Sequence, residues 1–395
     1  MKKETRVNHP PKVELAADNR PLVMPIFQNV KFEFDSIEET QRAFRGEREG
    51  FFYSRQGNPT TRQLELLLAE LQGRDDCIAC ASGVNAVTQT LISLTKAGDH
   101  VLHFHEMYGP TREVISRLLA RFGVRSTQLS IEDDAGIERV LSSVPTRLVM
   151  FESPTNPITK IADLTAITRL ARQHGALTVI DNTFAGFHQH GEYPIDIYVH
   201  SLTKYAAGTG DVMGGAVIAN KEMLAQMRPD WGVFGAQLDP HAAFLLMRGM
   251  RSYFLRYRAQ CACAQIIAEW LLAHKAVERV HYPGLASHPR AALARAQMRE
   301  FGTVVSFDLR GALEAGRRFV ESLQLFAMVA SLGSTDSLVL PPHLLQPRGQ
   351  TPEQRASTAI GPGTVRLSIG LESVDDLLAD LANGLAAAQG DSKGG

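Results

Sequence analysis

The chain has 395 residues and a formal charge of -1, from 41 basic and 42 acidic side chains. That balance, without a basic stripe interleaved with aromatics, excludes an electrostatic footprint for nucleic acid, and no apolar run reaches a membrane span. With 44% hydrophobic and 21% charged residues, the composition is that of a globular protein of two or three folding units.

Residues 1–60 carry several prolines, an acidic stretch from Glu33 to Glu39 and a Gly57-Asn58-Pro59-Thr60 turn. They read as an arm with little apolar periodicity of its own, expected to pack on another surface such as a neighbouring subunit. The basic start of the chain lacks an apolar stretch before a small-residue cleavage site, so the expected location is cytoplasmic. Between residues 61 and 255, short apolar runs alternate with longer amphipathic ones, the pattern of a parallel sheet with crossover helices. Strands are predicted at Cys77–Ala81, His100–Phe104, Val124–Leu129, Arg147–Phe151, Leu177–Ile180, Ile197–His200 and Gly215–Ala219. Helices are predicted at Val84–Thr95, Thr111–Phe122, Asp163–His174 and Lys221–Met227. A helical stretch follows from Pro240 to Ala273. Residues 256–395 read as a smaller α+β domain, with strands Val304–Asp308 and Val365–Ile369 and helices Ala312–Leu323 and Val374–Ala388. The tail from Gln389 to Gly395 is polar and glycine-rich and is expected to fray. Cys77-Ile78-Ala79-Cys80 has the spacing of redox and zinc motifs, but no second ligand pair accompanies it. Cys261 and Cys263, two apart in a helical stretch, face different ways. All four are read as small buried hydrophobes, with no metal expected.

The chemistry gathers around Lys204, in Ser201-Leu202-Thr203-Lys204-Tyr205, twenty-three residues after Asp181 at the end of an apolar strand. A lysine amine condenses with an aldehyde, and pyridoxal 5'-phosphate (PLP) is the aldehyde cofactor whose chemistry needs one. Its ring nitrogen needs a facing negative charge, and its phosphate needs hydroxyl and backbone N–H donors. Asp181 suits the first task. Ser201 and Thr203 suit the second, as does Ser82-Gly83-Val84, where glycine admits close backbone approach at a helix start. Each piece also has a plainer reading. A Ser-Gly pair before a helix is usually an N-cap, an acid at a strand end is a cap or ion-pair partner, and a lysine is often solvated. Gly208, Gly210, Gly214 and Gly215 argue instead for a tight functional turn after Lys204. Tyr108, before Gly109-Pro110, offers a ring to stack on a cofactor, or is an ordinary filler. Arg366 lies amid apolar neighbours, and a buried guanidinium needs an anion: a substrate α-carboxylate or a carboxylate of the protein itself.

Together these segments resemble the transsulfuration (Cys/Met metabolism) branch of fold-type I PLP enzymes. Its members include cystathionine γ-synthase, cystathionine γ-lyase, cystathionine β-lyase, methionine γ-lyase and O-acylhomoserine sulfhydrylase. The resemblance runs from about Pro25 to Leu385. It is carried by Phe52-Tyr53-Ser54-Arg55, Gly57-Asn58-Pro59-Thr60, Ala81-Ser82-Gly83, Tyr108-Gly109 and Glu152-Ser153-Pro154-Thr155-Asn156-Pro157. It continues through Asp181-Asn182-Thr183-Phe184, His200 to Tyr205, Ser331-Leu332-Gly333 and Arg366-Leu367-Ser368-Ile369-Gly370.

The resemblance implies an aspartate aminotransferase-like α/β fold with a mostly parallel central sheet, an N-terminal arm and a smaller C-terminal domain. It implies that Lys204 binds PLP covalently and acts as base, that Asp181 faces the ring nitrogen, and that Ser82, Gly83, Val84, Ser201 and Thr203 hold the phosphate. Tyr108 would stack on the ring and serve as a second acid/base, and Asn156 would contact the ring hydroxyl. Ser331, Arg366 and Tyr53 would bind substrate. Tyr53 and Arg55 would reach the phosphate of the adjacent subunit, in a homotetramer built from dimers with shared sites. The implied activity is γ-elimination or γ-replacement on an L-homoserine-derived or sulfur amino acid. β-Elimination of the cystathionine β-lyase type, O-acylhomoserine sulfhydrylation, an aminotransferase-like reaction and a non-catalytic PLP-binding protein are the alternatives. Gly57 to Thr60, Pro154 to Pro157 and Leu332 look like the γ-acting members, whereas Tyr108 to Arg112 and Leu338 to Pro341 look more like β-lyases. Ala330 stands where γ-synthases and γ-lyases of cystathionine commonly carry a glutamate. Leu344-Leu345-Gln346-Pro347-Arg348 replaces the usual Met-Thr-His stretch, with Arg348 free to meet an anionic substrate tail or solvent.

Overall fold

The computed structural model describes residues 18, 20–48, 50–345, 351 and 358–390. Seven strands build the larger sheet: β1 (Asp76–Cys80), β2 (His100–Phe104), β3 (Arg125–Leu129), β4 (Leu148–Glu152), β5 (Leu177–Asp181), β6 (Ile197–Ser201) and β7 (Gly215–Ala219). Each lies within one residue of its predicted span; all but the edge strand β3, whose side chains are exposed or half-buried, are largely covered on both faces and read as nearly unbroken apolar runs. The order is β1-β7-β6-β5-β4-β2-β3. All pairings are parallel except those of β7, which runs against both β1 and β6. The physical reason is the short β6–β7 connection, which forms turns around Lys204 and leaves no room for a crossover helix.

Helix boundaries departed further from expectation. The stretch predicted at Thr111–Phe122 begins as the helix Gly109–Glu113, with Pro110 in its first turn where a missing N–H costs nothing. It continues as a π turn, Val114–Leu118, and a 3₁₀ turn, Leu119–Phe122. The helix expected to stop at Met227 runs through Pro229 to Phe234 and ends on Gly235, whose φ of 72° suits only a residue without Cβ strain. Within the arm, Ile37–Phe44 is helical, and Pro59–Gln72 is a longer helix that buries Leu64 and Leu68 completely. Asn58 caps it by accepting the Thr60 N–H at 2.9 Å.

The second sheet holds β8 (Val277–His281), β9 (Val304–Leu309), β10 (Ala327–Met328), β11 (Leu338–Leu340) and β12 (Thr364–Ser368), in the order β10-β11-β12-β9-β8. Helices Ala312–Ser322 and Val374–Ala388 pack on it through Phe319, Leu381 and their neighbours. The long helical stretch breaks into Pro240–Met250 and Tyr253–Leu272. The latter threads both cores: Tyr253, Tyr257 and Cys261 pack under the first sheet, while Ala264, Ile267, Ala268 and Leu271 pack under the second. Among the described residues no helix is long and apolar enough to cross a membrane.

Candidate active site

Strands β1, β2, β4, β5 and β6 point the same way, so their carboxyl ends share one rim, where open α/β sheets collect ligands. Ser82-Gly83 leaves β1, Glu152 ends β4, Asp181 ends β5, and Ser201 ends β6 just before Lys204. Tyr108 follows β2.

The helix Gly83–Leu94 meets this rim end-on. Ser82 caps it, its hydroxyl accepting the Asn85 N–H at 3.1 Å, so the plain N-cap reading holds. The Gly83 and Val84 N–H groups still lack intrahelical acceptors. A Cβ on Gly83 would stand 2.7 Å from Ser201 Cβ and 3.0 Å from Ser201 Oγ. Glycine therefore keeps the helix N-terminus against the Ser201 hydroxyl, a cradle for an anion. Thr203 sits beside it, but its hydroxyl accepts the Gly214 N–H at 3.1 Å and braces the turn.

Asp181 is partly exposed at the cleft floor, in surroundings dense enough for burial to push its carboxyl above the ordinary range. Its Oδ1 accepts from the Thr183 hydroxyl at 2.6 Å and the Thr183 N–H at 3.1 Å. The same hydroxyl oxygen accepts the Ser201 N–H at 2.9 Å, tying the carboxylate to the anion cradle. No lysine, arginine or histidine among the described residues forms an ion pair with Asp181.

Lys204 reaches the opposite wall. Its Nζ donates to Ser331 Oγ at 3.0 Å, and burial, helped by the charge of Arg366, pushes its pKa down. Arg366 comes from β12 of the second sheet and is 5% exposed. It donates to Asn156 Oδ1 at 2.9 Å and to the Ser331 carbonyl at 2.6 Å, while its Nε is buried without a partner. Burial lowers its pKa to about 10, opposed by the nearby Tyr205 and Tyr108 phenols. Of the two partners that the sequence left open for this guanidinium, an internal carboxylate is absent among the described residues. The side chain is poised for an external anion.

Tyr108 is 44% exposed, with its N–H donating to Glu152 Oε1 at 2.7 Å. Tyr53 and Arg55 stand apart from this cluster. Both are exposed, the Arg55 guanidinium lies 5.8 Å from the Tyr53 ring centroid, and it donates to the Gly232 carbonyl. Asn156, expected at the ring hydroxyl, has its side-chain oxygen on Arg366. Arg348 and the loop around it lie outside the described residues. Cys77 and Cys80 are buried in β1, and burial pushes the Cys80 thiol to about 12.

Sequence reasoning passed over Thr183 and Glu152. The signal for Thr183 was its position two residues after Asp181, the spacing at which a hydroxyl closes a turn on a carboxylate. For Glu152 it was a carboxylate ending a wholly buried apolar strand.

The residues fit PLP. A half-buried carboxylate without a cation, an amine without a carboxylate, and a cradle of N–H and hydroxyl groups that any side chain at position 83 would fill match its ring nitrogen, aldehyde and phosphate.

Residues 9–386 match the family of Cys/Met metabolism PLP-dependent enzymes. The L-methionine gamma-lyase of Pseudomonas putida is 41% identical over 93% of this chain and 93% of its own length. The solved structure of cystathionine gamma synthase from Xanthomonas oryzae pv. oryzae, in complex with cystathionine, superposes with a TM-score of 0.87 at 36% identity, over 93% of each chain. A Campylobacter jejuni protein, provisionally named an O-acetylhomoserine (thiol)-lyase, superposes at 0.86 with 30% identity over 93% of this chain and 96% of that one. Its structure carries N'-pyridoxyl-lysine-5'-monophosphate.

Proposed function

Because this chain belongs to the Cys/Met metabolism PLP-dependent enzymes, we propose that it cleaves the Cγ–heteroatom bond of a sulfur or L-homoserine-derived amino acid, by γ-elimination or γ-replacement. One observation carries this reading: Ser331 accepts from the Lys204 amine through its hydroxyl and from the unpaired Arg366 guanidinium through its carbonyl. An amino acid whose carboxylate sits on Arg366 brings its α-carbon to Lys204 Nζ.

PLP, when bound, supplies an electron sink for charge developing at the α-carbon. This chain's residues do the rest. Asp181 holds a negative charge toward the ring nitrogen, and Thr183 fixes the orientation of that carboxylate. Gly83, Val84, Ser201 and Thr203 hold the phosphate, with Ser82 shaping the helix start. Arg366 and Ser331 orient the substrate carboxylate. Lys204, with its depressed pKa, takes the α-proton on Nζ, would give that proton up to the bound cofactor and so be free to take a β-proton, and Tyr108 protonates the departing heteroatom.

Ala330 offers no carboxylate for a distal ammonium, which favours a compact γ-substituted substrate of the L-methionine type over cystathionine. The site is completed in a homo-oligomer, where Tyr53 and Arg55 reach the neighbouring subunit's phosphate. Their exposure and their separation from their own chain's cluster support this. A cytoplasmic location is supported by four unpaired cysteines.

The test is purified protein given L-methionine, L-cystathionine, O-acetyl- and O-succinyl-L-homoserine and L-canavanine, with products identified by mass. 2-Oxobutanoate with a free thiol from L-methionine, or a γ-substituted product when a thiol is added, is the expected result. Pyruvate as the main product means β-elimination instead. Glutamate-dependent formation of pyridoxamine phosphate means transamination.

A further inference from the structure

Glu152 has no part in the chemistry above, yet it sits beside Asp181, Tyr108 and Asn156. It ends β4, directly opposite Asp181 in the β4–β5 register, and is 4% exposed. Its carboxyl accepts the Tyr108 N–H at 2.7 Å, and the nearby Asn156 N–H favours its ionised form. Asn156 in turn holds Arg366 at 2.9 Å, and Tyr108 opens the short helix Gly109–Glu113 above the cleft.

We propose that Glu152 is a positioning residue of this site, fixing the backbones of Tyr108 and Asn156 from the end of β4. The proposal rests on the functional reading only for what those two residues do, since the hydrogen bonds are properties of the chain alone. A second carboxylate beside Asp181 would place two like charges side by side in a buried setting. Burial first, and the Asp181 charge second, raise the Glu152 pKa well above the ordinary carboxyl range, while the Tyr108 and Asn156 N–H groups and the Arg112 guanidinium pull the other way. Glu152 is thereby biased towards the neutral acid while one of its oxygens accepts the Tyr108 N–H.

Amide hydrogen exchange on the full chain, as purified, tests this without reference to turnover. In Glu152→Ala the Tyr108 and Asn156 amides are expected to exchange roughly tenfold faster, while the Ser201 amide, which bonds to Thr183, keeps its protection. Glu152→Gln, which supplies the same acceptor without a titrating proton, is expected to restore both. Unchanged protection in Glu152→Ala, equal loss in Glu152→Gln, or equal loss at Ser201 would each overturn the assignment. If Glu152→Ala does not fold, Glu152→Asp serves: it withdraws the carboxyl by one methylene, and undiminished protection of both amides there sinks the idea. In the PLP-loaded protein, Glu152→Gln should leave the pH midpoint of the visible band within about 0.3 units, whereas a shift of about one unit or more would mean that Glu152 carries charge. Failure of the functional reading shows separately, as absence of cofactor uptake by the unaltered protein.

Discussion

At Lys204 the fold holds an ammonium where burial and the Arg366 charge both disfavour it. The folded-state pKa lies below the unfolded one. Between the two values the unfolded chain binds more protons, so Lys204 makes stability rise with pH through that window and opposes folding below it. Lys204→Met keeps an apolar stem and removes the charge. The cofactor-free variant is expected to melt at a higher temperature than the cofactor-free parent at neutral pH, and to lose part of the parent's alkaline gain. Equal melting temperatures and parallel pH profiles would contradict this account. Such a gain at the cost of activity is common where a strained group does the chemistry. Lys204, Asp181 and the Ser201–Thr203 pair were legible in sequence because cofactor chemistry demands those residue types close together. Thr183 and Glu152 act through hydrogen bonds on other site residues, and only contact geometry reveals that.

Elements place these groups to within a few tenths of an ångström. The helix Gly83–Leu94 approaches β6 closely enough that a single methyl group has nowhere to go. Gly83→Ala gains some helix propensity but forces overpacking against Ser201, with a cost of about 1–3 kcal/mol. The expected outcome is a folded protein whose PLP affinity drops by about tenfold or more, measured by equilibrium uptake of the cofactor, with urea unfolding as the control. Wild-type affinity would show that the anion cradle is not where the helix meets β6. The central strands were readable because both faces are buried. β8 was not, since Glu278 and Arg279 interrupt its apolar pattern at a sheet edge where side chains meet water. β10 and β11, of two and three residues, are too short for any periodicity to register.

In the whole molecule, the two sheets that share the helix Tyr253–Leu272 each bring residues to the site, Lys204 after β6 and Arg366 on β12, while Tyr53 and Arg55 of the arm stand apart. If Tyr53 and Arg55 serve the neighbouring subunit, each site draws on two chains. Lys204→Ala and Arg55→Ala should then each be impaired alone, yet mixed by co-expression they should regain up to about a quarter of the parental activity, because half the dimers are hybrids and each hybrid has one intact site. No regain, or full activity of Arg55→Ala alone, would place the arm's role within its own chain.

Composition, apolar runs and the ordered motifs were enough to determine the α/β class and the cofactor chemistry and to single out Lys204 and Asp181 as candidates for its lysine and aspartate, since these depend on residue type and local spacing. Tertiary structure decided what faces what. Arg366 meets no carboxylate among the described residues, Ser331 joins it to Lys204, and Glu152 reaches back to Tyr108. Those pairings span tens to more than a hundred positions along the chain; pairing of strands within the larger sheet sets the Glu152 contact, and packing of one sheet against the other brings the rest within hydrogen-bond range.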